Sequence, residues 1–383
     1  MKGYVSKGLF EPSHHAMYTS PIVIAKKATT PFFRIAIDYR WLNQFIRMIQ
    51  SYTPIIQHEL HKSKEWQYFA DIDWSEAFHQ IRLAPKTSDM LSIVTTIGYI
   101  RPKFMMEGVS PASSVLQNAV AHIFGSMRDE SICIFDNIFS GGSKVQFRAR
   151  TKQLIDICYR HNVRLNFKKS FIGHETARYF GYELYPGGYR IDAKRKTALE
   201  EIPFPGHGAT KKANTTLMKS FLGFTVYFSN FTENYAAIAA PLHDMTKIPF
   251  DWNESTWTRD YKADFEAFKA ALIAAMDLVY PDFSLTWILM TDASDFTVGW
   301  LLIQLRPTEN GIVTEVISVG SEKFSTQAEL QWPIPEKEAY GVLRCVEANS
   351  RLLYSKDFYI ATDHWNLCYQ ENNSATLTSS IIA

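Results

Sequence analysis

Two apolar segments of this chain end in acidic side chains, and their spacing suggests metal-dependent chemistry. The first is Phe69-Ala-Asp-Ile-Asp73, and the second is Ile132-Cys-Ile-Phe-Asp136. Carboxylates from neighbouring strands can hold two hard divalent cations, which activate an attacking oxygen and neutralise a phosphoryl transition state. The pattern therefore predicts a nucleotidyl-transfer site built around Asp73 and Asp136.

Each segment also has a purely structural interpretation. Asp73-Trp-Ser-Glu76 fits a capping box, in which an acidic N-cap is followed three residues later by glutamate. Asp136 and Asn137 fit an ordinary turn between two strands, because both residue types bond their own backbone and tolerate left-handed conformations. Taken singly, the two motifs leave both interpretations open.

A second set of acidic residues lies in the last third of the chain. Asp292 follows an apolar strand within 285–294, and Asp363 ends the strand-like run Phe358-Tyr-Ile-Ala-Thr-Asp363. Glu336 and Glu338 open a helical pattern between them. Carboxylates on three separate elements again predict a site for two metal ions.

The composition limits the class of protein. The chain has 383 residues and a mass of 43.9 kDa, which indicates two or three domains. Its net charge is only +1, so a nucleic-acid surface must come from local clustering. Between Arg148 and Lys196, lysine and arginine outnumber acidic residues by twelve to four. This run fits a phosphate track or a solvated helix face.

Cysteine spacing and hydropathy suggest a location. The four cysteines are far apart and lack zinc-binding spacing, which favours a reducing compartment. Neither a membrane-spanning run nor a signal peptide is visible. We therefore expect an intracellular protein, cytoplasmic or nuclear, without a membrane partner.

The order of the elements indicates a mixed architecture. Residues 1 to about 190 alternate short apolar strands with helical patterns, and from Ala193 the pattern becomes helical. A second amphipathic helix is predicted at Ala263 to Ala275, followed by the strands that carry Asp292 and Asp363.

Taken in order, these segments resemble the reverse transcriptase and ribonuclease H portion of gypsy-type long-terminal-repeat retrotransposon polyproteins. The resemblance spans nearly the whole chain and turns the interpretation of Asp73 from a helix cap to a catalytic residue. Beside the two acidic segments, it is carried by Ser20-Pro-Ile-Val-Ile-Ala-Lys-Lys27, Arg34 to Asn43, Gly108 to Gln117, Arg178-Tyr-Phe-Gly181, Ser220-Phe-Leu-Gly223, Ala239-Ala-Pro-Leu242, Thr291-Asp-Ala-Ser-Asp295 and Thr362-Asp-His364.

The resemblance implies an α/β (α+β) fold with fingers, palm and thumb of a right-hand polymerase, followed by a ribonuclease H-like domain. We expect fingers and palm at 1–185, thumb and connection helices at 186–275, and the ribonuclease H-like domain at 276–383. That last domain is expected to be truncated, since the family's fourth carboxylate would lie past Asp363, where Glu371 is the one remaining acid.

The resemblance also implies residue roles. Asp73 and Asp136, with Asn137 beside them, would form the polymerase site and hold Mg²⁺, for which Mn²⁺ can substitute. The triphosphate would contact Arg34 with Lys26 or Lys27, the sugar would lie on Phe78, and Gln117 would support the incoming nucleotide. Asp292, Glu338 and Asp363 would hold the metal ions of the ribonuclease H site, with Glu338 preferred to Glu336.

Asn137 departs from the family pattern, which has a second consecutive aspartate there. An amide oxygen binds a cation weakly and brings no charge to offset the metals and phosphates. Asp71 lies on the same strand face as Asp73 by the period of two, and it is a further possible source of a carboxylate.

The sequence thus predicts an RNA-directed DNA polymerase. Ribonuclease H endonuclease activity is a second expectation. The expected partners are an RNA template, a DNA primer, an RNA–DNA hybrid and deoxynucleoside triphosphates. The alternative is a catalytically impaired relic that still binds nucleic acid through the basic run, and salt-sensitive binding without incorporation would distinguish it.

Overall fold

A computed structural model of the chain describes residues 5–364 apart from positions 7, 15, 17, 27–32, 97 and 209, and it also describes residue 367. The chain divides into two compact units, with the division after Ala177. The predicted boundaries at 185 and 275 stay predictions, because this division follows compactness rather than function. The described helices include none with the length and apolar character needed to cross a bilayer.

The first unit contains three antiparallel sheets. Its strands are β1 (Phe10–Pro12), β2 (Ile22–Lys26), β3 (Phe33–Ile37), β4 (Tyr68–Asp73), β5 (Ile93–Thr95), β6 (Gly98–Pro102), β7 (Ser131–Ile134), β8 (Asn137–Gly142) and β9 (Phe171–His174). Their orders are β2-β3, β1-β6-β5 and β7-β8-β4-β9. Its helices are α1 (Arg40–Asn43), α2 (Ile56–Glu59), α3 (Pro85–Met90), α4 (Ala112–Ile123) and α5 (Lys144–Arg160).

One face of the β7-β8-β4-β9 sheet packs on helices α4 and α5. Ile72 of β4 and Ile138 of β8 are fully buried in this core with Leu116 of α4 and Leu154 of α5. Because side chains alternate across a strand, Asp71 and Asp73 lie on the opposite face from Ile72. The core thereby fixes the register that orients the two acids.

The second unit begins with the strands of a four-stranded sheet and continues into helices. Its first sheet contains β10 (Ala177–Tyr179), β11 (Tyr182–Tyr185), β12 (Gly188–Ile191) and β13 (Leu278–Val279), in that order. The helices that follow β12 are α6 (Ala193–Glu200), α7 (Lys211–Thr225), α8 (Tyr235–Asp244) and α9 (Tyr261–Ile273). The predicted helix over 263–275 is confirmed as α9.

The last part of the second unit is a mixed sheet of order β16-β15-β14-β17. Its elements are β14 (Thr286–Ala293), β15 (Thr297–Thr308), β16 (Gly311–Lys323), α10 (Gln327–Leu330), α11 (Ile334–Ala348), α12 (Ser350–Leu353) and β17 (Tyr359–Thr362). Strand β17 runs parallel to β14, whereas the other pairs are antiparallel. Trp287 and Leu289 of β14 are fully buried with Cys345 of α11 in the core beneath this sheet. The predicted mixed α/β class is confirmed.

The cysteines show no disulfide among the described residues. Cys133, Cys158 and Cys345 are free thiols, and burial raises the pKa of the Cys158 and Cys345 thiols to about 12. Cys368 lies outside the described residues.

Two candidate acidic active sites

Asp73 is the last residue of β4, so its position is set by the sheet and not by a helix cap. The Asp73 backbone N–H donates to Ser170 Oγ at 3.0 Å, and the Asn166 N–H donates to the Asp73 carbonyl at 2.8 Å. The capping-box interpretation is wrong, because Glu76 is left-handed with φ of 48° and itself precedes a 3₁₀ turn. The Asp73 carboxylate therefore lies at the end of a strand and does not cap a helix, while its catalytic role stays a prediction.

Asp136 lies in the turn of the β7–β8 hairpin, directly beside the end of β4. Ile134 pairs with Asn137 across the hairpin, so the turn consists of Phe135 and Asp136, with Phe135 left-handed at φ of 52°. Asn137 in turn pairs with Asp73 across β4 and β8. The turn interpretation is therefore confirmed, and the same turn brings a second carboxylate to Asp73.

Gln117 of α4 fixes that turn through both halves of its side-chain amide. Its Oε1 accepts from the Phe135 backbone N–H at 2.9 Å, and its Nε2 donates to the Cys133 carbonyl at 3.1 Å. The residue is only 2 % exposed. Gln117 thus holds the backbone that carries Asp136, while its contact with an incoming nucleotide stays a prediction.

Asp71 and Asp73 ionise less readily than ordinary carboxyl groups, because both have a raised pKa. Burial raises the pKa of Asp73, as does the negative charge of Asp136, whereas Lys169 and a hydrogen bond with Asn166 act in the opposite direction. Burial also raises the pKa of Asp71 to about 7, and the charges of Asp73 and Asp136 add to that shift. Accumulated negative charge of this kind is relieved when a cation binds.

The amide of Asn137 faces its acidic neighbour. Its Nδ2 donates to Asp136 Oδ1 at 3.3 Å. An aspartate at this position could not donate, and it would add a charge to the site. Asn137 therefore lowers the repulsion within the site and also lowers its total negative charge.

The predicted nucleotide-binding residues are described to different extents. Lys26 and Arg34 lie on the paired strands β2 and β3, but their side chains, and Lys27 entirely, fall outside the described residues. Phe78 lies in the 3₁₀ turn Ala77–Gln80 and packs, partly buried, against two core clusters of the first unit. The triphosphate and sugar contacts of these residues stay predictions.

The second acidic site is formed by two parallel strands and a helix. Thr291 pairs with Thr362 in the parallel β14–β17 ladder, so the following residues, Asp292 and Asp363, emerge side by side. Glu338 of α11 completes the group, and one carboxylate oxygen of each residue lies within 4.8 Å of the others. The choice of Glu338 over Glu336 agrees with this geometry.

Close packing of α11 delivers Glu338 to the sheet. A Cβ added to Gly341, one turn further along the helix, would lie 3.0 Å from Val298 Cγ2 and 3.4 Å from the Ala293 Cβ. Glu338 is 5 % exposed, and burial raises its pKa to about 7 with added effects of Asp363 and Asp292. A buried carboxyl between two acids is the kind of group that a bound cation would convert to its charged form.

Lys337 supports this second site, and the sequence analysis did not identify it. Its buried Nζ donates to the Asp295 carbonyl at 3.1 Å and to Asp295 Oδ1 at 3.2 Å, which ties α11 to the turn after β14. In the sequence it stands between two glutamates, where a solvated charge is the natural interpretation. No local pattern marks it, because its partner lies 42 residues away.

The donor sets of both sites suit hard divalent cations. Carboxylate oxygens are the preferred ligands of Mg²⁺ and Mn²⁺. Within the described part of the chain, the group of Asp292, Glu338 and Asp363 is the one set of three that converges. Two residues before Asp73, Asp71 Oδ1 is buried and has no hydrogen-bond partner among the described residues, and a cation is one kind of partner that such an oxygen accepts.

Two family models match the chain, one in each half. The family described as "Reverse transcriptase (RNA-dependent DNA polymerase)" matches residues 24–184. The family described as "RNase H-like domain found in reverse transcriptase" matches residues 257–360. The first range includes Asp73 and Asp136, and the second includes Asp292 and Glu338.

Curated relatives are retrotransposon polyproteins. The Pol polyprotein from transposon 297 of Drosophila melanogaster is 27% identical over 378 residues, which cover 96% of this chain and 34% of the relative. The Pol polyprotein from transposon gypsy of the same organism is 26% identical, with 96% and 36% covered. The Tf2-7 polyprotein of Schizosaccharomyces pombe is 24% identical, with 94% and 26% covered. The chain spans between 26% and 36% of the length of these relatives.

Solved structures show the same fold. The dRH form of a foamy viral protease–reverse transcriptase bound to double-stranded DNA matches with a TM-score of 0.80 at 17% identity, covering 94% of this chain and 61% of that one. The foamy viral enzyme bound to an RNA/DNA hybrid matches with a TM-score of 0.73 at 17% identity, covering 95% and 47%. The predicted reverse transcriptase fold with a ribonuclease H-like domain is confirmed.

Proposed function

Because the chain belongs to the reverse transcriptase and RNase H-like region of retrotransposon Pol polyproteins, we propose that it extends a DNA primer on an RNA template with deoxynucleoside triphosphates. The single observation that carries this proposal is the pairing of Asp73 with Asn137, which sets Asp136 beside Asp73. In the reaction, the primer 3′-oxygen forms a bond to the α-phosphorus, and the bond to pyrophosphate breaks.

Asp73 and Asp136 would hold the divalent cations, Mg²⁺ or Mn²⁺. When bound, such cations make the primer hydroxyl more acidic and neutralise charge on the triphosphate. Lys169 lies close enough to influence the Asp73 carboxylate and favours its charged form. The β7–β8 turn, held by Gln117, keeps Asp136 at a fixed place relative to Asp73, which favours a preorganised site.

The roles of the surrounding residues complete the proposal. Arg34, with Lys26, would neutralise triphosphate oxygens, since guanidinium and ammonium groups form charge-assisted hydrogen bonds with phosphate. Phe78 would lie under the sugar of the incoming nucleotide and exclude a ribose 2′-hydroxyl. The partly buried packing of Phe78 supports a rigid position for its ring.

The test is incorporation of labelled deoxynucleotides on a primed RNA template with Mg²⁺ or Mn²⁺. Removing the Asp73 carboxylate should lower incorporation by at least about 100-fold, because electrostatic stabilisation of the transition state is lost. The Asp73→Ala variant is compared with Asp129→Ala, which removes an exposed acid of the same unit. Equal incorporation by the two variants would refute the assignment.

The competing function is nucleic-acid binding without catalysis, and Asn137 is the observation that favours it. A relic of this kind would bind a primed template with a steep salt dependence and incorporate nothing, even as the Asn137→Asp variant. Incorporation by the parent protein that disappears in Asp73→Ala would exclude this alternative.

A second activity, cleavage of RNA within an RNA–DNA hybrid, is supported by the convergence of Asp292, Glu338 and Asp363. These carboxylates would hold the cations that activate water for attack on the scissile phosphate. The test is cleavage of a hybrid with a labelled RNA strand by the parent, Asp292→Asn and the exposed-acid control Asp357→Asn. Cleavage that survives Asp292→Asn would overturn this assignment.

A further inference from the structure

Asp71 has an unusual environment for a carboxylate. It lies on β4 two residues before Asp73, on the same face of the sheet, so the two Cα atoms are about 7 Å apart along the strand. Its cross-strand partners are Phe139 on β8 and Phe171 on β9. Neither phenylalanine side chain can donate a hydrogen bond or supply a charge.

The unsatisfied oxygen of Asp71 requires an explanation. Oδ1 is buried and has no hydrogen-bond partner among the described residues. A buried polar atom without a partner is costly, and native structures retain such an atom where an ion or a function compensates for it.

The charge of the polymerase site makes this position significant. Asn137 is neutral, and its amide donates to Asp136, so the paired strand ends contribute two carboxylates. A site that holds two divalent cations has more positive charge than two carboxylates offset. Asp71 is a third acid on the same face of β4 as Asp73, two residues before it in the same β4–β8 ladder.

We propose that Asp71 supplies the third negative charge of the polymerase site, in place of a carboxylate at position 137, and thereby strengthens divalent cation binding. The inference rests on the proposed polymerase function for its meaning, but it concerns cation affinity. Asp71 acts here as a positioning residue, because it lies two residues before Asp73 on β4 and does not itself contact the reacting groups. It attracts the cations held by Asp73 and Asp136 through its charge.

The test is a double-substitution cycle of Asp71→Asn and Asn137→Asp. Mn²⁺ binding is measured from the electron paramagnetic resonance signal of the free ion, without nucleotide or template. All proteins carry Asp292→Asn and Asp363→Asn, so that the second acidic site does not contribute. The Mg²⁺ concentration that gives half-maximal incorporation is the second readout.

We expect Asp71→Asn to weaken Mn²⁺ binding about tenfold, since it removes a charge near the cations. Adding Asn137→Asp to that variant should restore the affinity, because the missing charge returns at the adjacent position. Asp71→Glu keeps the charge and should bind Mn²⁺ within about threefold of the parent. A purely structural role for Asp71 would not predict rescue from position 137.

Two results would overturn the inference. Asp71→Asn could bind Mn²⁺ as tightly as the parent, or Asn137→Asp could give the same gain whether or not Asp71 is present. If Asp71→Asn does not fold, Asp71→Ser with and without Asn137→Asp provides the same comparison, and Asp71→Glu alone tests the charge. Since cation binding is measured without substrate, a parent that never incorporates nucleotide refutes the proposed function and leaves the result on Asp71 intact.

Discussion

The two acidic sites of this chain bring carboxylates together with different strand geometry. In the ribonuclease H-like domain, parallel strands β14 and β17 end at one edge, and α11 brings a third carboxylate to within 4.8 Å. In the palm, antiparallel strands meet at a hairpin turn, where Asp136 and Asp73 face a neutral Asn137. One site concentrates three carboxylates, and the other has two at its centre with a third, Asp71, set back along the strand.

This difference teaches how each site should hold its cations. A cluster of three acids can bind a divalent cation without help, because the repulsion among the carboxylates is relieved by the ion. A site with fewer charges depends more on the phosphates of its substrate. We therefore expect the ribonuclease H-like site to bind metal more tightly than the palm site when nucleotide is absent, and nucleotide to raise the metal affinity of the palm site.

Substitution of Gln117, which fixes the β7–β8 turn, should have the largest effect. Gln117→Leu would leave the Phe135 N–H and the Cys133 carbonyl without partners, at a cost of about 1–3 kcal/mol in stability. Loss of the fixed turn should lower kcat by about 100-fold, because misplacing a catalytic group by even 1 Å is costly. Steady-state incorporation kinetics and urea unfolding measure the two effects. A rise in the nucleotide KM with stability and kcat unchanged would instead support the predicted contact with the nucleotide.

The buried glutamate of the second site should make stability depend on pH. The Glu338 carboxyl has a pKa of about 7 in the fold against an ordinary value of 4.5, so the folded protein holds a proton that the unfolded chain releases. The stability this proton provides is complete below pH 4.5 and is lost as pH rises to about 7. Relative to the parent, Glu338→Gln should gain about 2 kcal/mol between pH 5 and pH 8 in metal-free protein. Urea unfolding of the parent and of Glu338→Gln, with chelator at pH 5 and at pH 8, measures this gain. The same difference in unfolding free energy between the two proteins at both pH values would contradict the prediction.

The direct comparison of the sites is a cation titration. Mn²⁺ should bind at least about tenfold more tightly to the ribonuclease H-like acids than to the palm acids when nucleotide is absent. The Asp73→Asn variant reports on the ribonuclease H-like site, because its palm site is impaired. The Asp292→Asn variant reports on the palm site for the corresponding reason. Equal affinities would remove the distinction drawn between the two geometries.

Substitution of Lys337, which ties α11 to the turn after β14, should have the smallest effect. Lys337→Met removes the bonds from the buried ammonium to Asp295, and it should lower stability by about 1 kcal/mol and hybrid cleavage by a few fold. Asp295→Asn keeps the backbone carbonyl as an acceptor, so it should be milder in both respects. Cleavage and thermal unfolding of the two variants provide the check. Equal cleavage and equal thermal stability of Lys337→Met and the parent would show that the Lys337–Asp295 bonds are dispensable.

The sequence predicted four of the five acids because Asp73, Asp136, Asp292 and Asp363 each end or follow an apolar strand, and such strands have a clear pattern. Glu338 was predicted from the start of a helical pattern instead. The sequence could not identify Lys337, whose partner is distant in sequence, or the contacts of Ser170 and Asn166 with Asp73, which depend on how a loop returns to the sheet. The capping-box alternative at Asp73 failed for a physical reason. Strand pairing with β8 and β9 fixes the backbone up to Asp73, and a left-handed Glu76 cannot serve in the first turn of a regular helix.

The parallel pairing of β17 also has a consequence for folding. Strands β14, β15 and β16 are joined by short turns, whereas β17 reaches β14 only after the intervening helices, with Ile288 opposite Tyr359. Contacts of such sequence separation form late, and an edge strand is among the first to open in local unfolding. Asp363 therefore joins its two partner acids from a four-residue strand at one edge of the described sheet. A cation held by all three would slow hydrogen exchange in β17 more than anywhere else in the domain.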